Sequence, residues 1–134
     1  MFSHVLLGTS DVARAGRFYD ALLAPLGFVR GETEGEEGLP DGVGYVRPGE
    51  RVPTFYAHET FDGQPPGVGN GTMVAFLAPS REAVDAAYAA AMKAGGTDEG
   101  PPGDRPRYGL GYYGAYLRDP DGNKVHVVHR GDIA

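Results

Sequence analysis

The sequence predicts an α+β fold built from two related βαβββ modules, and three observations carry that expectation. One is a hairpin signature at 112–129, where two runs of aromatic and β-branched residues flank Asp119-Pro120-Asp121-Gly122-Asn123. Pro120 sets φ for a turn, Gly122 accepts positive φ, and Asp119, Asp121 and Asn123 carry short polar side chains that bond back to nearby N–H groups. Another is a strand, helix and glycine-stop order that occurs twice. The last is the alignment of the two occurrences at an offset of 69 residues, which sets His4 on Met73, Tyr19 on Tyr88 and Gly27 on Gly96.

The elements follow in order. Residues 3–8 are short and apolar and end at Thr9-Ser10-Asp11, which suits a strand with His4 and Leu6 on one face and Val5 and Leu7 on the other. Ser10 or Asp11 caps a helix in which Val12, Ala15, Tyr19, Leu22 and Leu23 form an apolar stripe beside Phe18, and Pro25 and Gly27 stop it. Phe28-Val29 and residues 43–46 read as short strands around a Gly- and Glu-rich loop or hairpin at 32–42. Residues 52–57 read as another strand, with Pro53 near an edge or a start. After a Gly/Pro-rich connection at 61–71 the order repeats. Residues 72–77 form a strand, Pro79-Ser80 opens a helix, and Val84, Ala87, Tyr88, Ala91 and Met92 form its stripe before Gly95-Gly96. The stretch 100–108 holds Pro101, Pro102 and Pro106 and is expected to be an irregular loop over a site.

With 134 residues the chain is expected to form one domain spanning 1–134, with modules at about 1–60 and 71–130. The net charge of −6 and the lack of a Lys/Arg cluster argue against nucleic acid and against an anionic membrane surface as partners. There is no cysteine, so disulfides, thiolate metal sites and a cysteine nucleophile are excluded. No apolar run approaches the ~18 residues of a membrane span, and a cytoplasmic protein is expected.

At this point the residues carry a family resemblance. The strand opening on His4, the helix with Arg17-Phe18-Tyr19-Asp20 closing on Leu26-Gly27-Phe28, the repeat of that order, and the 119–123 turn before a final strand resemble the glyoxalase/bleomycin-resistance/extradiol-dioxygenase (vicinal oxygen chelate) superfamily. The resemblance covers essentially the whole chain. It implies a curved mixed sheet around a cleft for a divalent metal and a small molecule, and a homodimer in which some members share the cleft between chains. It also implies Lewis-acid chemistry on two vicinal oxygens, with His and Glu ligands from the first and last strands of each module.

Carried over by position, His4 matches the ligand of the first strand and His126 falls where the final strand often has a carboxylate. Met73 replaces the usual histidine of the second module's first strand, and a thioether is a poor ligand for Mg, Mn, Ni or Zn. The fourth position maps to Ala57, and a slip of one residue moves it between Phe55 or Ala57 and Tyr56 or His58. The resemblance therefore implies His4 and His126 as metal residues for one ion of Zn, Ni, Mn or Fe, or no ion if the altered site is non-functional. Tyr56, Met73, Arg105, Tyr108 and Tyr113 are the candidate substrate-binding residues, with Arg105 and Tyr108 suited to an anionic or planar ligand.

Plainer explanations stand beside each. A lone histidine on an apolar strand is commonly a hydrogen-bonded core residue, alternating tyrosines commonly pack a sheet, and Met73 fills apolar space. Glu32, Glu34, Glu36 and Glu37 suit a solvated loop, and Asp119, Asp121 and Asn123 suit turn-making. Three functions stay open: a metal-assisted glyoxalase-like lyase or dioxygenase, a metal-free bleomycin-resistance-like drug-binding protein, and a non-catalytic dimeric interaction module.

Overall fold

A computed structural model describes residues 1–31 and 40–133. The acidic run of Glu32, Glu34, Glu36 and Glu37 lies outside the described residues. The first module contains β1 (His4–Gly8), α1 (Val12–Leu23), β2 (Val29–Arg30), β3 (Gly42–Val46) and β4 (Thr54–His58). The second contains β5 (Val74–Leu77), α2 (Arg81–Lys93), β6 (Thr97–Asp104), β7 (Tyr112–Arg118) and β8 (Lys124–Arg130). Each module folds into its own four-stranded mixed sheet, ordered β1-β4-β3-β2 and β5-β8-β7-β6. The first and last strands pair in parallel and the remaining neighbours pair antiparallel, so the internal repeat extends to topology.

The caps explain where the helices begin. The Asp11 carboxylate accepts from the Arg14 N–H at 3.0 Å, and the Ser80 hydroxyl oxygen accepts from the Ala83 N–H at 3.0 Å. Gly27 and Gly95 take left-handed backbone after the two helical segments, with φ of 87° and 105°. The repeat had aligned Gly27 with Gly96, and Gly96 serves a different end: a Cβ there would sit 3.1 Å from the Phe18 ring, so its bareness lets α1 approach the end of α2.

Alternation then sorts the strands. Leu7, Val43, Tyr45, Phe55 and Ala57 of the first sheet, and Phe76, Ala115, Leu117, Val125 and Val127 of the second, are buried in one cluster with Phe18, Leu22, Val84 and Ala87 of the helices. Both sheets thus turn one face toward α1 and α2, and apolar side chains fill the space between. The other faces are open: His4, Leu6, Met73, Ala75 and Leu77 are exposed.

The stretch at 100–108 departs from the expected irregular loop. Thr97–Asp104 is a full edge strand, followed by a 3-10 turn at Pro106–Tyr108. Pro101 and Pro102 are tolerated because β6 is outermost in its sheet, and the register with β7 shifts between Asp98 and Gly100 and again between Gly100 and Gly103.

Candidate functional site

The hairpin strands determine what the open face of the second sheet presents. In the β7–β8 register Tyr116 lies opposite His126, Gly114 opposite Val128 and Tyr112 opposite Arg130, so the even-numbered residues of both strands share the face turned away from the helices. His126 is nevertheless only 1% exposed, because Tyr116 stacks on its ring at 3.9 Å and 8° and Tyr112 lies across it at 5.8 Å and 19°. Its Nδ1–H donates to the Ala115 carbonyl at 2.8 Å, which makes Nε2 the lone-pair nitrogen, and Nε2 accepts from the Tyr112 hydroxyl at 2.8 Å. Burial lowers the His126 pKa, the Ala115 carbonyl opposes this, and the charges of Arg105 and Lys124 lower it further. The ring is held neutral and in one tautomer.

Glycines make room for this stack. A Cβ on Gly114 would lie 2.6 Å from the His126 ring, and one on Gly103 would lie 2.9 Å from the Arg105 guanidinium. Arg105 is fixed by a 2.8 Å hydrogen bond to the Pro101 carbonyl, and its guanidinium carbon stands 5.8 Å from the centre of the Tyr116 ring. Tyr108 packs at 5.2 Å on Tyr112 and is itself 53% exposed.

The remaining residues singled out in the sequence fall elsewhere. Tyr113 is on the helix side of β7, where its hydroxyl donates to Asp85 of α2 at 2.6 Å and its ring packs against the core; strand parity gives the open face to Tyr112 instead. Tyr56 and His4 meet edge to face at 5.8 Å on the open face of the first sheet, and His4 Nδ1 pairs with the Ser3 hydroxyl at 3.0 Å. His58 Nδ1 donates to the Glu59 carbonyl at 2.9 Å. Met73 borders a cavity of about 400 Å³ together with Thr72, Arg118 and Lys124. His129, on the opposite side of β8 from His126, pairs with the Ala78 carbonyl at 3.1 Å.

These donors do not fit a divalent ion within one chain. Among the described residues no three His, Asp or Glu side chains come together as a ligand set. Both nitrogens of His126 are engaged by its own module, the bonding and ring partners of His4 are all in the first module, and the equivalent strand position offers the thioether of Met73.

The 119–123 turn has a role the sequence did not reveal. Tyr19 of α1 donates to Asp119 at 2.6 Å, Asn123 donates to the Gly8 carbonyl at 2.9 Å, and Asp121 accepts from Thr9, Ser10 and Arg14 at 2.5 to 2.9 Å. The turn therefore bolts the second module onto the strand end and helix start of the first.

The paired modules, with their matching sheet orders and the open faces, agree with a match of residues 1–127 to the profile of the Glyoxalase/Bleomycin resistance protein/Dioxygenase superfamily. The chain belongs to that superfamily. It is similar to a glyoxalase/bleomycin resistance protein from Albidiferax ferrireducens, with 42% identity and a TM-score of 0.79 over 97% of this chain and 98% of that one. A glyoxalase-related enzyme from Fulvimarina pelagi shares the superfamily fold at 18% identity and a TM-score of 0.69, covering 96% of this chain and 87% of that one. A glyoxalase I mutant from Zea mays matches at 20% identity and a TM-score of 0.75, covering 96% of this chain and 46% of that one. A search among curated proteins finds no match. Superfamily members often bind small molecules or a divalent metal and often form dimers, and no described helix of this member is long and apolar enough to cross a membrane.

Proposed function

We propose that this protein binds a small molecule on the open face of its second module, at the Tyr112–His126–Tyr116 stack, without an ion held by the single chain. The observation that carries the reading is His126: buried on the sheet face turned away from the helices, with both nitrogens bonded, Tyr116 stacked on its ring and Tyr112 alongside. A strand-face histidine arranged this way is a preorganised wall of a recognition surface, with Arg105 and Tyr108 at its border. Under this reading Met73 borders the site from the cavity it shares with Lys124, and Tyr113 contributes through its bond to α2 rather than directly.

A homodimer belongs to the same proposal. Leu6, Met73 and Leu77 are 50%, 41% and 39% exposed on the open faces, which is apolar area that a second copy would cover. A metal-assisted lyase or dioxygenase is the second reading, favoured by the exposed imidazole of His4. It requires His4 of one chain to meet His126 of another, with Tyr112 releasing Nε2.

Metal analysis separates the two. Protein purified after supplementation with Zn, Ni, Mn or Fe(II) is expected to retain no stoichiometric metal; metal retained by the native protein and lost in both His4→Ala and His126→Ala would overturn the metal-free reading. In a thermal-shift screen of aromatic small molecules, hits are expected to raise the midpoint of the native protein and not of His126→Ala. Hits that act equally on both variants would place binding elsewhere.

A further inference from the structure

Among the described residues the charges that stand against the rings of the stack are of one sign. Lys124 Nζ stands 5.4 Å from the centre of the Tyr116 ring, the Arg105 guanidinium 5.8 Å from the same ring, and the Arg107 guanidinium 5.1 Å from the Tyr108 ring. Arg14, Arg30, Arg81, Arg118 and Arg130 each pair with a carboxylate; these three cations do not among the described residues, nor do Arg17, Arg47, Arg51 and Lys93, but Arg105, Arg107 and Lys124 are the ones gathered around the stack. The chain as a whole carries −6, so three uncompensated cations within one loop and hairpin run against its average. The site is also built to keep Arg105 there. Gly100 and Gly103 lie 3.4 and 2.9 Å, measured from an added Cβ, from its guanidinium nitrogens; the register shifts in β6 fall at these glycines, and the Pro101 carbonyl takes one N–H. Arg105 keeps further N–H groups for an outside acceptor.

The tyrosine faces give a second, independent constraint. A cationic aromatic ligand would be drawn to exposed ring faces. Here Tyr116 is stacked on His126 on one side and is approached by two of the protein's own cations, and Tyr108 by a third. A positive ligand would meet like charge at each ring, and an anion would meet a fixed guanidinium fork.

We propose that the ligand of this site is a small aromatic carboxylate, its charge held by Arg105 with Lys124 alongside and its ring laid against the exposed Tyr108. This rests on the small-molecule reading above and adds the sign of the ligand's charge, which that reading leaves open.

The test uses three probes with one ring system: naphthalene-2-carboxylate, the neutral 2-naphthamide and the cationic 2-naphthylmethylammonium, titrated calorimetrically into the full-length protein. The carboxylate is expected to bind at least about tenfold more tightly than the amide, the size of one charge-assisted hydrogen bond, and to weaken as sodium chloride is raised. The ammonium compound is expected to bind weakest. Arg105→Gln is expected to weaken the carboxylate far more than the amide and so to remove the carboxylate's advantage. Lys124→Gln, on β8 and clear of the Arg105 loop, should reduce the advantage in part, and an unchanged unfolding midpoint shows that either variant is folded. Equal binding of carboxylate and amide, tighter binding of the ammonium compound, or survival of the full advantage in both variants would overturn the charge assignment and leave the small-molecule site standing. Binding of none of the three would overturn both.

Discussion

The Tyr19 hydroxyl donates a 2.6 Å hydrogen bond to the Asp119 carboxylate across the boundary between the two modules, and both residues are buried. Tyr88, which the repeat sets on Tyr19, makes the same kind of bond to Asp98 at an exposed position within its own module. One interaction type therefore recurs at equivalent points with different surroundings. Tyr19→Phe is expected to lose about 1.5–3 kcal/mol, the value of a hydrogen bond to a charged group whose partner stays buried. Tyr88→Phe is expected to change stability by about 0.5 kcal/mol or less, since water replaces its partner. Urea unfolding of the two variants checks the contrast, and equal losses would show that the boundary bond has no special weight.

The same tyrosine predicts an alkaline limit. Burial raises the pKa of Tyr19 well above its ordinary value, with Asp119 raising it further, and burial followed by the hydrogen bond to Asp20 raises Tyr45. Their folded-state values exceed the unfolded value of about 10, so the unfolded chain loses these protons first. Stability is then full below about pH 10 and falls as pH rises beyond it. Unfolding midpoints measured through this range should drop in the native protein and drop less steeply in Tyr19→Phe.

Asp121 sets the acid limit. Burial alone would raise its pKa, but hydrogen bonds from Thr9 and Ser10 and the charge of Arg14 outweigh that and hold the carboxyl below its ordinary value. Its stabilising contribution is present above the unfolded value of about 4 and is lost as pH falls toward the lower folded value. Asp121→Asn is expected to lower stability at neutral pH by about 1–3 kcal/mol and to flatten the acid limb of the profile. A variant with an unchanged acid limb would show that other carboxylates control it.

Much of the fold was legible because its signals are local. The hairpin, both helices and the repeat rest on turn chemistry, caps and apolar periodicity within short windows, and each is formed. Pro101 and Pro102 hid β6, because a proline's effect on a strand depends on whether that strand is an edge, which is a property of the assembled sheet. The choice between Tyr112 and Tyr113 turned on parity, where a shift of one residue exchanges a cleft-facing ring for a helix-facing one. Asp119 and Asp121 were legible as turn residues, but their partners Tyr19 and Arg14 lie 100 and 107 positions away in sequence and nothing local announces them. The cations around Tyr116 were similarly split between the segment just after β6, which holds Arg105, and β8, which holds Lys124.

Gly114 offers the sharpest check on how rigidly His126 is held. An added Cβ would come 2.6 Å from the imidazole and 2.9 Å from the Val127 carbonyl, closer than real contacts allow. The imidazole has no free direction of retreat: Tyr116 stacks on it at 3.9 Å, and Ala115 and Tyr112 bond its two nitrogens. Either the ring leaves the stack or β7 parts from β8, and overpacking of this kind costs about 1–3 kcal/mol. Gly114→Ala is expected to show that loss in urea unfolding, and in the His126→Ala background the same substitution should be less damaging, since the ring is gone and only the Val127 carbonyl remains close. A double-mutant cycle isolates the coupling. Additive losses would mean that the carbonyl contact alone makes glycine necessary, whereas a coupling of about 1 kcal/mol or more would identify the missing side chain at 114 as the space into which the sequence fits its buried histidine.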